Sequence, residues 1–378
     1  MRLLFVADGR SPIARQWIRY FADRGEEVYL ASTYPARPEL PLAGFRLIPV
    51  AFSQFASASS GGPLPSSPTW RTHLRHWLAP LTLPLAARRL RQWAEQIRPQ
   101  LVHALRIPYE GMIAAGARLP LPWLVSVWGN DFTLHAPSSP LLAAWTRYTL
   151  RTTHALHADC QRDIRLARNW GLPEGRPTLV IPGNGGVQRA IFFPPPAPVE
   201  RPLIVNPRGL RAYIRNDLFF QAARIVLQRV PQARFLCVGM AGHPAIENLV
   251  RALGLETAVT LLPSLPHPQM AEIYRQASIL ISPSVHDGTP NSLLEGMACG
   301  VFPVAGDLES IREWIDHGQN GLLYPPLQVQ AMAEALHQAI TDPRLRQRAR
   351  EHNLELIARR ADYETCMAQA AAFYRQLL

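Results

Sequence analysis

Lysine is missing: every one of the 39 positions counted as Lys or Arg is arginine. Its absence excludes chemistry through a Schiff-base lysine, pyridoxal phosphate included, and a phosphate loop of the Gly-Lys type. Cysteine is scarce. Cys160, Cys237, Cys299 and Cys366 are widely separated and form no Cys-x-x-Cys pair. Neither a zinc cluster nor a disulfide framework is expected, and the chain reads as one from a reducing, cytoplasmic compartment. No run of roughly 18 or more apolar residues occurs, which excludes a spanning helix. The apolar start reaches Asp8 too soon for the hydrophobic region of a secretory signal. Charged residues are only 18 % of the 378, against 48 % hydrophobic, so wholesale disorder is excluded and two or three domains are expected.

Arginine and proline are what the chain has in excess. The net charge is +11, and the 36 prolines are about twice the usual share. Rich arginine without lysine reads as genome composition or heat adaptation rather than as the mark of a special partner.

The apolar patterning alternates between strand and helix. A buried-strand run at 3–7 leads through a turn at Asp8 and Gly9 into helical spacing at 13–24. Gly25 stops that helix, and a strand resumes at 28–31. Residues 53–69, rich in Ser, Gly and Pro, read as a loop. A helix at 83–97, strands at 101–105 and 123–127, a helix at 139–153 and a strand at 179–181 follow. Five prolines between Phe193 and Pro202 make a stiff linker. Beyond it come strands at 203–205, 235–238, 259–262, 279–282 and 301–304, with helices at 216–230, 244–253, 268–276 and 290–299. Strict alternation means parallel sheets covered on both faces. The expected architecture is α/β, with two Rossmann-like doubly wound domains facing each other across a cleft. The expected bounds are 1–194, a linker at 195–202, 203–355, and a last helix at 356–378.

The segment from Ser282 to Gly300 carries the chemistry. A strand ending at Ser282 and a helix opening at Pro290 make Thr289 the expected cap. The amides of Asn291, Ser292 and Leu293 then point past the carboxyl ends of the strands, as an anion site suited to a diphosphate. Glu295, one turn further in, is placed to accept bonds from two ribose hydroxyls. Asp287, before the turn at Gly288, lies near whatever the terminal phosphate carries. The plainer reading is a capped helix with an ordinary exposed Asp and Glu. At the other end of the chain, Gly9 lets backbone approach a ligand where a side chain would block it.

Asp287-Gly288-Thr289-Pro290, Glu295 after four more residues, and then Gly296-Met-Ala-Cys-Gly-Val-Phe-Pro-Val304 resemble the Glu-x7-Glu region of retaining glycosyltransferases of family 4. Those are two-domain enzymes of the GT-B fold. The likeness continues through Asp307, Glu313, Trp314, Gly318 and Asn320-Gly321-Leu322, and is looser elsewhere. It implies that Glu295 binds the ribose and that Asp287, one methylene shorter than the family's glutamate, stands by the donor sugar. Arg208 would neutralise the diphosphate and stabilise the leaving group, with Arg211 or Arg215 replacing the missing lysine. Trp128-Gly129-Asn130-Asp131 stands where the family often has His-Gly-x-Asp. That leaves Asn130 and Asp131 as acceptor or sugar contacts, with His135 and His286 as alternative histidines. The implied substrates are a UDP- or GDP-linked sugar and a hydroxyl acceptor that is lipid-linked, saccharide or small-molecule, with no metal and no further cofactor. The implied transfer is front-face, with the leaving phosphate oxygen taking the acceptor's proton. The last helix is implied to cross back to the first domain.

Residues 70–98, with Trp70, Trp77 and Trp93 among arginines and leucines, suit peripheral contact with anionic lipid on the inner membrane face. The plainer reading, a loop and a helix packed on the first sheet with the arginines solvated, has the edge. Three other readings stand beside the transferase: a nucleotide-sugar epimerase of the same fold, an inactive homologue acting as a partner subunit, and a basic nucleic-acid-binding protein. The spacing of Asp287 and Glu295 speaks against the first. Only the net charge speaks for the last, and no nucleic-acid signature appears.

Overall fold

A computed structural model describes residues 1–50 and 79–378; the expected loop at 53–69, together with Trp70 and Trp77, lies outside these. The chain divides into two compact units, Met1–Gly186 with Glu364–Leu378, and Val187–Tyr363. The first division falls ahead of the proline-rich run, and the return falls at Glu364. Both passages are tied within the second unit: the Val187 amide donates to Ala361 O at 2.6 Å and the Tyr363 amide to Val187 O at 3.1 Å.

The first unit is built on a seven-stranded parallel sheet in the order β3-β2-β1-β4-β5-β6-β7. Its strands are β1 (Arg2–Ala7), β2 (Glu27–Ser32), β3 (Gly44–Leu47), β4 (Leu101–Ala104), β5 (Trp123–Val127), β6 (Ala155–Ala158) and β7 (Thr178–Val180). The apolar patterning had not indicated β3 and β6. β3 is an edge strand among prolines with Arg46 exposed, and β6 is the four-residue Ala-Leu-His-Ala, whose histidine is buried. Among the described residues, the helices α1 (Pro12–Ala22), α2 (Leu83–Ile97), α3 (Met112–Ala117), α4 (Pro140–Thr152) and α5 (Gln161–Asn169) cover the faces. Ser11 caps α1, accepting from the Ala14 amide at 3.3 Å with Pro12 at the first helical position. Gly25, at φ +77°, takes the left-handed turn that ends it.

A buried polar chain crosses this unit. Trp17 Nε1 donates to Tyr374 Oη at 2.8 Å, Tyr374 Oη meets His103 Nδ1, and His103 Nε2 lies 2.7 Å from Ser126 Oγ. Ser126 Oγ is 2.8 Å from His157 Nδ1, and His157 Nε2 is 3.1 Å from Ile181 O. Trp17 can only donate and Ile181 O can only accept, so every proton between them runs one way. Both imidazoles are therefore neutral with the proton on Nε2. Burial lowers both histidine pKa values, His157 to about 4.

The second unit holds a six-stranded parallel sheet in the order β10-β9-β8-β11-β12-β13. Its strands are β8 (Leu203–Asn206), β9 (Arg234–Val238), β10 (Val259–Leu262), β11 (Ile279–Ser282), β12 (Phe302–Gly306) and β13 (Leu322–Tyr324). The helices are α6 (Asn216–Arg229), α7 (Pro244–Ala252), α8 (His267–Gln276), α9 (Asn291–Ala298), α10 (Val329–Thr341) and α11 (Pro343–Arg360), while α12 (Tyr363–Leu377) brings Tyr374 to the first unit. Phe219, Phe220 and Phe235 are wholly buried in the core between α6 and the sheet. Truncating one of them to alanine would cost about 3–5 kcal/mol. In both sheets the order reverses beside the first strand of the unit, so β1 meets β4 and β8 meets β11. The carboxyl ends of these pairs are where open α/β sheets bind ligands. Among the described residues, no helix is long and apolar enough to cross a membrane.

Candidate functional site

In the second unit the loops after β8 and β11 are stitched together at that reversal. The Arg215 amide donates to Pro283 O at 2.8 Å and the Val285 amide to Tyr213 O at 2.9 Å, with a bridge between Ile214 and Ser284. Asn206, at the end of β8, accepts from the Arg208 amide at 3.2 Å and donates to Asn216. Arg208 is thereby fixed above the strand ends. Its guanidinium is ion-paired to Asp287 and donates to Ser292 Oγ at 3.0 Å. Asp287 also accepts from Ser284 Oγ at 2.9 Å, and its backbone carbonyl accepts from Ser310 Oγ at 2.8 Å. Two residues singled out separately from the sequence are thus in direct contact.

The start of α9 differs in detail from the expectation. Its cap is Pro290, without a side-chain bond, and Thr289 Oγ1 instead accepts from Trp314 Nε1 at 3.0 Å. Proline fits because its extended ψ of 115° turns the chain into the helix without needing an N–H. The Leu293 amide is used by Pro290 O at 3.0 Å, so it does not point outward as expected. The amides of Asn291 and Ser292 have no partner among the described residues. Gly288, Thr289 and Pro290 are buried beneath them. Glu295 follows one turn on, 7 % exposed, and its carboxylate accepts no hydrogen bond among the described residues. Burial raises its pKa to about 7, against the pull of Arg208. His267 Nε2 lies 4.0 Å from it. Arg208 Nε, Asn291 Oδ1 and Tyr274 Oη are buried without hydrogen-bond partners. Polar groups in this state cost stability unless a ligand completes them.

Of the two arginines weighed for the missing lysine, Arg215 is held by Asp217 through two bonds of 2.6 and 2.8 Å. Arg211 is exposed, and its side chain has no partner among the described residues. His286 is half-buried in the loop after β11.

In the first unit, Asp131 is fully buried. It accepts from Arg106 Nε at 3.0 Å and from the Trp128 amide at 3.1 Å. What it presents outward is Arg106, whose side chain is 34 % exposed and whose Nη2 also meets His135 Nε2 at 2.8 Å. Asn130 Oδ1 and Trp128 Nε1 are buried without hydrogen-bond partners. Gly9 has a local reason: a Cβ there would meet Ala36 O at 2.3 Å and Ser32 Oγ at 2.9 Å, so the close approach is to the chain itself.

Sequence reasoning missed Arg106 and Glu110. Both follow β4, beside Arg106 at φ +150° and Tyr109 at φ +71°, a strained backbone of the kind that collects at functional loops. Glu110 is buried, accepts from Thr33 Oγ1 at 2.7 Å, and burial raises its pKa to about 7. Positive φ at non-glycine residues leaves no mark in sequence, and Thr33 lies 77 residues away.

Among the described residues, Asp159, Cys160 and Asp163 bring ligand-type atoms within 4.8 Å of one another. Burial raises the pKa of both aspartates, and Arg162 supplies the positive charge there, donating to Asp163 at 2.7 Å. In the stretch 79–98, α2 buries Leu90, Trp93 and Ala94 and turns Arg88, Arg89 and Arg91 to solvent.

Comparison with known proteins bears on the family and the fold. The family described as glycosyl transferases group 1 matches residues 187–355, and the glycosyl transferase 4-like domain matches 8–183. An alpha-D-kanosaminyltransferase of Streptomyces kanamyceticus is 25 % identical over 179 residues, covering 47 % of this chain and 46 % of that protein. A D-inositol 3-phosphate glycosyltransferase of Thermobispora bispora is 28 % identical over 190 residues, covering 45 % and 44 %. The chain thus spans about half the length of the curated relatives it matches. Among solved structures, sucrose-phosphate synthase from Thermosynechococcus elongatus superposes with a TM-score of 0.77 at 19 % identity, covering 100 % of this chain and 99 % of that one. HepE of Anabaena, solved with UDP-glucose, gives 0.75 at 17 % identity, covering 100 % of both chains. With its two sheets both of Rossmann type and each unit matched in turn, the chain belongs to the group 1 glycosyltransferases, family 4, of GT-B fold.

Proposed function

We propose that the chain is a retaining, metal-independent glycosyltransferase that moves a sugar from a nucleoside-diphosphate donor to a hydroxyl acceptor. One observation carries the reading. Around the start of α9, the Glu295 carboxylate, the Asn291 and Ser292 amides and Arg208 Nε make no hydrogen bond among the described residues. A nucleoside diphosphate supplies their complements. Its ribose hydroxyls donate to Glu295, and its phosphate oxygens accept from the amides and from Arg208. The helix dipole adds to the attraction.

In this reading Asp287 holds the Arg208 guanidinium in place and stands by the donor sugar. As the glycosidic bond breaks, negative charge grows on the terminal phosphate. Arg208 and Arg211 stabilise it, Arg208 being preorganised by Asp287 and Ser292. The departing phosphate oxygen then takes the acceptor's proton on the same face, giving retention. The first unit would hold the acceptor, with Arg106 rather than Asp131 as the outward contact. A UDP- or GDP-linked donor is the class we favour.

A panel of nucleotides and nucleotide sugars, ranked by thermal shift in EDTA, tests this directly. UDP or GDP, free or sugar-linked, should raise the melting temperature. Binding or turnover that strictly needs a divalent ion would contradict the metal-free reading.

Peripheral contact with anionic lipid remains a second, compatible proposal about partners. A groove of about 650 Å³ between α2, α3 and α4 is lined by Ala87, Leu141, Ala144 and Trp145 and edged by Arg88, Arg91 and Arg118. Leu85 beside it is 57 % exposed. Apolar walls with a cationic edge complement an acyl chain and its phosphate. Cosedimentation with phosphatidylglycerol vesicles, weakened by Arg88→Glu and Arg91→Glu, is the expected result. Equal sedimentation of the variants would remove it.

A further inference from the structure

A second concavity in the first unit belongs to neither the α9 site nor the α2 groove. It measures about 390 Å³ and lies between the exposed side of α1 and the loop after β2, with Arg10, Arg15, Arg19, Arg37 and Glu39 among its lining. Arg10 is already neutralised. It binds Asp8 through contacts of 3.1 and 3.2 Å and lies 3.5 Å over the Tyr34 ring. The other three are not. Arg19 reaches only the backbone carbonyl of Glu39, at 3.4 Å, and Arg15 and Arg37 make no hydrogen bond or ion pair among the described residues.

Guanidinium groups do not lose their protons in proteins, so the three exposed ones lining this concavity gather positive charge there. Glu39, the one carboxylate in the lining, offsets one and leaves a surplus of positive charge. Arg15 and Arg19 stand one turn apart on α1, and Arg37 comes from the loop after β2, so two separate elements bring cations to the concavity. Planar guanidiniums bind phosphate oxygens bidentately, and a doubly charged group with several acceptor oxygens satisfies more of them than a single carboxylate does.

We propose that this pocket is an anion site for a soluble phosphorylated ligand, formed by Arg15, Arg19 and Arg37. It does not depend on the transferase reading, because none of these residues belongs to the α9 site. The pocket's concave shape favours a small molecule over a flat membrane surface, and its size leaves room for more than an inorganic ion.

The test uses pyrophosphate as the probe, on the full chain carrying Arg208→Ala so that the α9 site contributes less. Calorimetric titration should show binding that Arg15→Ala with Arg37→Ala weakens by about tenfold or more, as expected for loss of two charge-assisted partners. Both side chains are exposed, and the one interaction of either among the described residues is Arg37 at 5.9 Å over the Phe45 ring, so circular dichroism and melting should show the double variant folded. Glu39→Gln should tighten binding. Undetectable pyrophosphate binding, or equal affinity with and without Arg15 and Arg37, would overturn the proposal. Phosphatidylglycerol vesicles separate the sources. Vesicle binding that needs Arg15 and Arg37, without pyrophosphate binding, would assign the pocket to a lipid headgroup and overturn the soluble-ligand assignment.

Discussion

Arg208 and Asp287, 79 residues apart in sequence, form an ion pair where the strand order of the second sheet reverses. Their side chains are only 11 % and 12 % exposed, so each is the close countercharge that offsets the other's desolvation. Removing one partner of such a pair leaves the other desolvated and uncompensated, at a cost of about 3–5 kcal/mol. Arg208→Ala and Asp287→Ala should each lower stability in urea titration, and the double variant should lose much less than the sum. Additive losses would show that the two side chains are energetically independent.

Catalysis should separate the arginines. If Arg208 acts on charge that develops as the donor bond breaks, Arg208→Ala should cut turnover by about 10²–10³ while donor binding falls much less. Arg211→Ala should show a similar loss. Arg215→Ala should show almost none, because Asp217 already holds that side chain away. Steady-state kinetics of the three variants decides the matter, and equal losses of donor affinity at unchanged turnover would make the site a uniform phosphate clamp.

Stability should depend on pH in a dome. Glu110 and Glu295 have folded pKa values of about 7 against 4.5 because both are buried. The folded state keeps protons that the unfolded chain releases, so stability falls as pH rises from 4.5 through 7, by up to about 3 kcal/mol per group. His103 and His157 act on the acid side. They are buried neutral, with lowered pKa values, so stability falls as pH drops below 6.5 toward 4. Urea titrations from pH 5 to 8.5 should show Glu110→Gln gaining on the parent as pH rises to about 7 and holding that gain above it. A constant offset at every pH would contradict the burial argument.

One hydroxyl should contribute measurably to holding the helix α12. Tyr374→Phe removes the acceptor of Trp17 Nε1 and the donor to His103 Nδ1, two buried bonds worth about 1–3 kcal/mol each when one partner is left stranded. Hydrogen exchange should accelerate in α12 and leave the core of the second unit unchanged. Unaltered protection of α12 would place its anchoring elsewhere, in the stacking of Tyr374 on Phe21.

Much of the fold was legible because it rests on local patterning. Apolar runs bounded by turns marked most strands, and the Asp287-to-Glu295 spacing marked the helix start that matters most. The misses share a cause. The β3 and β6 strands are short and weakly apolar and are held by pairing to β2, β5 and β7. The cap passed from Thr289 to Pro290 because Trp314, 25 residues on, takes the threonine hydroxyl. Asp131 was visible as an acidic loop residue, but its burial under Arg106 depends on a contact 25 residues distant. Spacing reports neighbours along the chain. It does not report which partner a side chain finds across a sheet.

The central claim is that Glu295 receives the ribose of a donor nucleotide. Glu295→Gln keeps the shape and one acceptor oxygen while removing the charge, a loss of about 1–3 kcal/mol in bonds to hydroxyls. The most direct test is calorimetric titration of UDP and GDP into the parent chain and Glu295→Gln, in EDTA at a pH well above 7, where the parent carboxylate is ionised. The account predicts measurable binding of at least one nucleotide by the parent and a fall of about tenfold or more in the variant, with the fold intact. Equal affinity in the two proteins would show that Glu295 only fills its place in the helix, and the donor site would have to lie elsewhere.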